Sequence, residues 1–203
     1  DREFICCGSP MVATGYLDEA HEHAKKNAAR ILAWKAKGTP IVACCTSCSL
    51  MLKHEYHELF EDPEMHEIAS SVYDAFEFLE LIEERGELNE NFKSIDHLYS
   101  YHAPCHLRAS GIGLPSYNFL KRIPGLSIEE LAAGCCGMSG NFGFKADKYD
   151  VSMKIGEKVF QRIAEIGADT VVSDCGTCRL QIRHGSGKKT CHPIEILAQA
   201  YNA

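Results

Sequence analysis

Eleven cysteines dominate the chemistry that this 203-residue sequence could perform. Two adjacent cysteines precede a glycine in FICCGSP, and the same Cys-Cys-Gly unit recurs in AAGCCGMSG. Each pair is followed along the chain by a C-x-x-C unit, CTSC in one case and CGTC in the other. Thiolates at such spacings bind soft metal ions or act as redox dithiols, so these residues are candidate metal or redox ligands.

A disulfide-bonded secreted scaffold is the first alternative for so many cysteines. The odd number of cysteines argues against complete pairing, and a chain of 203 residues is long enough to bury a core without covalent cross-links. Long stretches with helical patterns also separate the cysteine groups. Metal binding or redox chemistry is therefore the favoured interpretation.

The cysteine groups form an internal repeat. Cys6 and Cys7 align with Cys135 and Cys136, and the C-x-x-C units align in the same way: Cys45 with Cys175, Cys48 with Cys178. The adjacent pair and the C-x-x-C unit are separated by 37 residues in the first copy and by 38 in the second. This spacing predicts two tandem copies of one structural unit.

The polar stretch ERGELNENFKS carries Gly and Asn turn signals and predicts a boundary between two domains, residues 1–92 and residues 93–203. The second copy also contains HLYSYHAPCHLRASG, which supplies Cys105 ahead of its cysteine pair. An equivalent unit of the first copy would have to precede Asp1. We therefore expect the first domain to be N-terminally incomplete and the second to be complete.

Apolar runs alternate with helical patterns along both copies. PIVAC, HLYSYHA, LSIEEL and DTVVSDC are typical of short strands, and helices are predicted over four segments: 17–37, 72–85, 147–166 and 194–201. This alternation predicts an α/β fold with one small parallel sheet flanked by helices in each domain, the two domains being related by approximate two-fold symmetry. Cys45, Cys105 and Cys175 follow predicted strands, where the sites of parallel sheets gather.

Composition excludes several other functions. The net charge of −7 and the lack of a basic run argue against nucleic-acid binding. No apolar run reaches the roughly 18 residues that a membrane span requires. Hydrophobic residues make up 45% and charged residues 24% of the chain, which is typical of a globular protein.

Three kinds of site fit the cysteines of the second copy. A thioredoxin-like dithiol needs only Cys175 and Cys178, and a zinc ion needs four ligands such as these two with Cys135 and Cys136. An iron–sulfur cluster needs four or more thiolates, and the second copy offers five. Adjacent cysteines in an extended chain point to opposite faces, which suits several irons better than one ion. Gly137 is expected to let the backbone turn sharply and pass close to an inorganic sulfide.

The pattern C-x29-CCG-x37-C-x2-C resembles the cysteine-rich CCG-domain family, which includes heterodisulfide reductase subunits of the B and D type. Within it, YHAPCHLRASG, CCGMSGNFGFK, DCGTCRLQI and HPIEILAQA are most similar to the C subunits of anaerobic glycerol-3-phosphate dehydrogenases. Glycolate oxidase iron–sulfur subunits and lactate-utilisation proteins are also similar. The resemblance implies a [4Fe-4S] cluster of the non-cubane type held by five residues: Cys105, Cys135, Cys136, Cys175 and Cys178.

The first copy matches the family only at four cysteines: Cys6, Cys7, Cys45 and Cys48. It is therefore expected to hold either a second cluster or zinc. The resemblance also implies a function, an iron–sulfur electron-transfer subunit of an oxidoreductase complex. Electrons would pass from a flavoprotein dehydrogenase of the glycerol-3-phosphate type toward membrane quinone. Intrinsic catalysis by this chain does not follow from the resemblance. The expected location is cytoplasmic, at the inner face of the cell membrane.

Two alternatives to this function remain open at the level of sequence. One is a catalytic subunit that cleaves a disulfide substrate at a non-cubane cluster, as in heterodisulfide reductases. The other is a non-catalytic, zinc-binding interaction module. Four further residues lie near the motifs without a defined role. We expect that Cys44 is not a ligand. Either a structural role or hydrogen bonding to the ligands would fit the other three residues: Cys191, His102 and His106.

Overall fold

The computed structural model describes residues 2–202, which form two compact units. One unit ends at Phe78 and the other begins at Leu79. Both units combine short parallel strands with flanking helices, so the predicted α/β class is confirmed. The approximate two-fold relation between the copies, and a domain boundary at residue 92, stay predictions.

The first unit contains a two-stranded parallel sheet. Strand β1 pairs with β2 so that Ile41 lies opposite Val72 and Ala43 opposite Asp74. A π-helical turn, Met51–Glu55, joins two of the helices. The elements in chain order are α1 (Ser9–Val12), α2 (Leu17–Lys35), β1 (Ile41–Ala43), α3 (Thr46–Leu50), α4 (Tyr56–Leu59), α5 (Pro63–Ala69), β2 (Val72–Asp74) and α6 (Ala75–Glu84), which continues into the second unit.

Helix α2 supplies most of one side of the first core. Acidic Asp18 and Glu19 occupy its first turn, where the helix dipole favours negative charge. Alanines at four-residue spacing, then Ile31, form a fully buried stripe along it. Small side chains on this stripe let the helix approach the neighbouring segments closely. Its partners in the core include buried Met51, Tyr56, Met65 and Ile68.

The second unit contains a four-stranded parallel sheet in the order β4-β3-β5-β6. Its elements in chain order are β3 (His97–Tyr101), α7 (Cys105–Ala109), α8 (Pro115–Leu120), β4 (Leu126–Glu130), α9 (Tyr149–Ile166), β5 (Thr170–Val172), α10 (Gly176–Ser186), β6 (Lys189–Cys191) and α11 (Pro193–Tyr201). Two short 3-10 turns, Phe142–Phe144 and Ala146–Lys148, precede α9. The carboxyl ends of β3, β4 and β5 meet at one edge, and each leads into a cysteine-bearing segment.

Two strands were not predicted correctly. The sequence predicts a helix from Val72, but Val72–Asp74 is strand β2 and the helix begins at Ala75. The helix starts there because the Asp74 carboxylate accepts from the backbone N–H of Phe76 while Glu77 accepts from that of Asp74. Strand β6 was missed because three residues between two helices give no alternating pattern.

Candidate metal centre

The five cysteines of the second copy converge at the carboxyl end of the sheet. Strand β3 is followed by a short buried loop that ends at Pro104. Cys105 comes next and is the first residue of α7. Cys135 and Cys136 lie in the loop after β4. Cys175 is the N-cap residue of α10 after β5, and Cys178 lies within the first turn of that helix. Three neighbouring strand ends therefore bring together residues that are up to 73 positions apart.

Direct contacts link four of the five sulfurs. The Sγ atoms of Cys136 and Cys178 are 3.3 Å apart, and Cys136 also shares a hydrogen bond with Cys135. A further hydrogen bond joins Cys175 to Cys178. Cys105 completes the set, since it interacts electrostatically with Cys135, Cys136 and Cys175. The arrangement is a continuous group of soft donors, which suits iron–sulfur clusters and zinc.

Solvent exposure divides the five cysteines. Cys136, Cys175 and Cys178 are buried, whereas Cys105 and Cys135 are exposed. Among the described residues, one further potential ligand lies with the buried group, because the ligand atoms of His102, Cys136 and Cys178 are all within 4.8 Å of one another. The site thus has a closed interior and two thiols at its surface.

The hydrogen bonds spread the thiol pKa values apart. Donation from Cys135, and then from Cys178 and His102, lowers the pKa of Cys136 far below its usual range. Hydrogen bonds to Cys136 and Cys175 correspondingly raise the pKa of Cys178. The Cys178 thiol and the Thr177 hydroxyl lower the pKa of Cys175 to about 5. Two thiolates, Cys136 and Cys175, therefore flank a thiol that stays protonated, and thiolates are the form that binds metal.

The loop with the adjacent cysteines corrects one expectation. Adjacent side chains were expected to point to opposite faces, but the sulfurs of Cys135 and Cys136 share a hydrogen bond. The backbone turns on both sides of the pair, where Gly134 and Gly137 have φ values of 84° and 93°. Glycine at both positions gives the loop the curvature that brings the two sulfurs together.

Gly137 packs directly against helix α9, which leaves no space for a side chain. A Cβ atom at this position would lie 2.0 Å from the Ser152 carbonyl oxygen of α9. The Ser152 hydroxyl donates to the Gly137 carbonyl over 2.8 Å, and the Gln181 amide donates to that hydroxyl over 2.9 Å. Gly156 brings α9 close to the same loop, since its Cβ would be 2.4 Å from the Cys136 carbonyl oxygen. The loop is thus fitted onto α9 and α10.

A buried polar network lies behind the cysteines. Tyr101 at the end of β3 donates to Asp174 over 2.7 Å, and its oxygen is 2.8 Å from that of Ser116. Burial raises the pKa of Asp174, which the hydrogen bonds from Tyr101 and Ser116 partly offset. Because Tyr101 precedes His102 and Asp174 precedes Cys175, the network fixes the strand ends that carry two site residues.

The first copy brings together three of its four predicted ligands. Cys48 shares hydrogen bonds with Cys45 and with Cys7, which raise the pKa of Cys48 and lower that of Cys7. Cys45 is the N-cap residue of α3, as Cys175 is of α10. Cys6 is exposed, and within residues 2–202 no contact of its sulfur places it in this group.

Two residues that the sequence did not single out hold the first cysteine pair. Asn27 is buried in α2, accepts from the N–H of Ile5 and donates to the Cys6 carbonyl, each over 3.2 Å. The Tyr56 hydroxyl donates to the Cys7 carbonyl over 2.9 Å and accepts from Asn27. Asn27 and Tyr56 lie far from the cysteines along the chain, so no motif predicts their role. We call this pair of hydrogen-bonding side chains the clamp.

The remaining candidates lie outside the sulfur groups. Cys44 is exposed, and Cys191 is half-buried at the end of β6. His106 lies in α7 beside Cys105 and is partly exposed. Across the described part of the chain, none of the helices has the length and apolar character to cross a bilayer.

A group of cysteines at the carboxyl ends of a parallel sheet is an arrangement suited to a soft-metal site in an α/β protein. The sequence profile of the cysteine-rich domain CCG matches residues 2–53 and 99–183. The chain therefore belongs to the CCG cysteine-rich domain family. The match covers both cysteine groups of each copy.

Three curated relatives illustrate the family. The chain is 36% identical over 196 residues to the C subunit of anaerobic glycerol-3-phosphate dehydrogenase from Escherichia coli K12, covering 96% of this chain and 49% of the relative. It is 32% identical to lactate utilization protein A of Halalkalibacterium halodurans, covering 95% and 80%. It is also 32% identical to the D subunit of dihydromethanophenazine:CoB–CoM heterodisulfide reductase from Methanosarcina acetivorans, covering 89% and 44%. The chain thus spans about half the length of two of these relatives, both named as subunits of oxidoreductases.

Proposed function

We propose that this chain is an iron–sulfur electron-transfer subunit of an oxidoreductase complex. Five cysteines of the second domain, residues 93–203, would hold one [4Fe-4S] cluster: Cys105, Cys135, Cys136, Cys175 and Cys178. The observation that supports this proposal is the joining of these residues, from three strand ends, into one group of sulfurs. Two thiolates in the metal-free protein already have the protonation state of ligands.

The donor set fits a cluster with several irons. Soft thiolates are the usual ligands of iron–sulfur clusters, and five of them exceed the need of a single tetrahedral ion. When bound, the cluster would accept and release single electrons. The residues of this chain contribute the ligands, the exclusion of water around Cys136 and Cys178, and hydrogen bonding from His102. Exposed Cys105 and Cys135 mark the side from which the site is reached.

Partners follow from the relatives. The glycerol-3-phosphate and heterodisulfide relatives are named as parts of a dehydrogenase and of a reductase. For this chain we infer a flavoprotein dehydrogenase as electron donor and membrane quinone as acceptor, with peripheral attachment at the inner face of the cell membrane. In the first domain, residues 1–92, the sulfurs of Cys7, Cys45 and Cys48 would hold a second cluster or zinc, with Cys6 at the surface.

Anaerobic reconstitution of the 203-residue chain with iron and sulfide tests the proposal. In a Cys7→Ser, Cys48→Ser background, which removes the ligands of the first domain, we expect about four irons and four sulfides per chain, and Cys135→Ser should abolish this uptake. Cys44→Ser is the matched control, because Cys44 is also an exposed cysteine but lies outside the groups. A chain that takes up no sulfide, or equal losses in both variants, would rule out the assigned ligand set.

A further inference from the structure

The buried half of the second site has the composition of a complete site for one metal ion. The ligand atoms of His102, Cys136 and Cys178 lie within 4.8 Å of one another, and all three residues are at most 4% exposed. One imidazole and two thiolates are typical zinc ligands, and structural zinc sites take four ligands in tetrahedral geometry. These three residues therefore need one more donor.

Cys175 can supply a fourth donor. It shares a hydrogen bond with Cys178, is 5% exposed and belongs to the same C-x-x-C unit. Cys135 is not equivalent, because it is exposed and its sulfur accepts from the Gly137 N–H over 3.3 Å.

The backbone around this set is already fixed. The His102 N–H donates to the Val172 carbonyl over 2.9 Å, which ties the residue to strand β5. Cys175 is tied to α10, since its carbonyl accepts from the N–H of Arg179 over 3.0 Å. Ligands held on paired strands and a helix start need little reorganisation, so a single ion would gain most of its binding energy directly.

We propose that the second unit binds one zinc ion through His102, Cys136, Cys175 and Cys178, a metal state distinct from the five-cysteine cluster. The zinc site considered from the sequence used Cys135 in place of His102; the burial of the two residues reverses that choice. The two metal states share three cysteines and differ in the rest. Zinc uses His102, whereas the cluster uses Cys105 and Cys135, so the two states exclude each other and can be separated by single substitutions.

The test is a titration of the reduced, metal-free chain with Zn²⁺, and with Co²⁺ as a spectroscopic probe. A Cys7→Ser, Cys48→Ser background keeps ions in the first unit from contributing. We expect one ion per chain and a tetrahedral cobalt spectrum with three thiolate ligands. His102→Ala and Cys136→Ser should each weaken Zn²⁺ binding by about tenfold or more. Cys135→Ser and Cys105→Ser should change the affinity by less than about twofold, since neither contributes a donor.

The following results separate the zinc site from the iron–sulfur cluster. Equal weakening by Cys135→Ser and Cys136→Ser, or unchanged binding in His102→Ala, would overturn the zinc site. Circular dichroism of the metal-free variants checks folding, and His102→Gln replaces His102→Ala if the latter unfolds. Reconstituting Cys135→Ser with iron and sulfide separates the two ideas, because this variant should lose the cluster and keep zinc. If no variant or parent takes up iron, the electron-transfer function fails while the zinc result stands.

Discussion

The two cysteine sites keep their adjacent cysteines in place by different means. In the first unit, Asn27 and Tyr56 hold the pair through hydrogen bonds to the carbonyls of Cys6 and Cys7. In the second unit, close packing against α9 does this work, with Gly137 directly on the Ser152 carbonyl. The second site also has a buried imidazole, that of His102, beside its sulfurs, whereas the His23 imidazole of the first unit contacts the Cys6 carbonyl over 3.0 Å. The same motif can therefore be held in place either by hydrogen bonds from polar side chains or by close packing of a helix against its glycine.

The largest expected difference concerns metal content. Cys136→Ser should reduce the iron retained after anaerobic reconstitution by about tenfold, because it removes a buried ligand that contacts Cys178. Cys7→Ser should leave most of the iron in place, since it affects only the first unit. Iron and sulfide analysis of both variants makes the comparison. Similar losses would show that both units are needed for one cluster.

The glycines of the two Cys-Cys-Gly units should differ in the cost of an added methyl group. Gly137→Ala should destabilise the second unit by about 3 kcal/mol or more, because the methyl group overlaps a backbone carbonyl at positive φ. Gly8→Ala should cost about 1–2 kcal/mol, since its nearest neighbours are Ala20 atoms at 3.4 Å and only the positive φ is unfavourable.

Amide hydrogen exchange in α2 and α9 reports the two units separately. Equal losses of protection in the two alanine variants would show that the close approach of α9 to Gly137 does not determine the conformation of the second loop.

A smaller effect is expected from the hydroxyl that holds the first pair. Tyr56→Phe should cost about 1–2 kcal/mol, because it leaves the buried Cys7 carbonyl without its donor. Tyr73→Phe is the matched control, as the Tyr73 hydroxyl makes one long, exposed bond to Ser70. Urea unfolding followed by hydrogen exchange in α2 measures both. A neutral result for Tyr56→Phe would remove the clamp as a stabilising feature.

A pH dependence of stability is also expected for the metal-free second unit. The pKa of Cys175 is lowered to about 5, so its contribution is present above the unfolded thiol pKa of about 8.5 and is lost as pH falls toward 5. The pKa of Cys178 is raised, so its contribution is present below about 8.5 and is lost as pH rises beyond that value. Stability should therefore rise from about pH 5 to about pH 8.5 and fall at higher pH.

Unfolding of the reduced, metal-free chain at about pH 5, about pH 8 and about pH 10 checks this expectation. Cys178→Ser should flatten the loss of stability on the alkaline side. A monotonic change across the whole range would contradict the assignment of thiol and thiolate within the Cys175–Cys178 pair.

The sequence predicted the parts of the fold that rest on local patterns. Helices α2 and α9 are long and amphipathic, and Cys45, Cys105 and Cys175 follow strands as expected. Strand β2 could not be separated from helix α6, because Asp74 and Glu77 form an N-terminal cap that pattern alone does not reveal. The equivalent cap of α11 uses His192 with Glu195, a chemical difference that hides the correspondence between the copies.

The site was predicted less completely, for a physical reason. Spacing identifies cysteines that recur in a motif, so all nine could be named as candidate ligands. Burial, however, is set by packing between distant segments. His102 and His106 therefore looked alike in the sequence, although only His102 lies with the buried sulfurs. Asn27 carries no motif at all, and its contact with the cysteine loop depends on the docking of α2.

The division of the five cysteines between surface and interior separates chemical reactivity from access. The exposed thiols, Cys105 and Cys135, have raised pKa values, the first through desolvation and the second through its hydrogen bond with Cys136. The two cysteines whose pKa values are lowered, Cys136 and Cys175, are buried. Oxidants attack thiolates that they can reach, and here neither set combines both properties. We therefore expect these cysteines of the metal-free chain to be oxidised slowly to sulfenic acid.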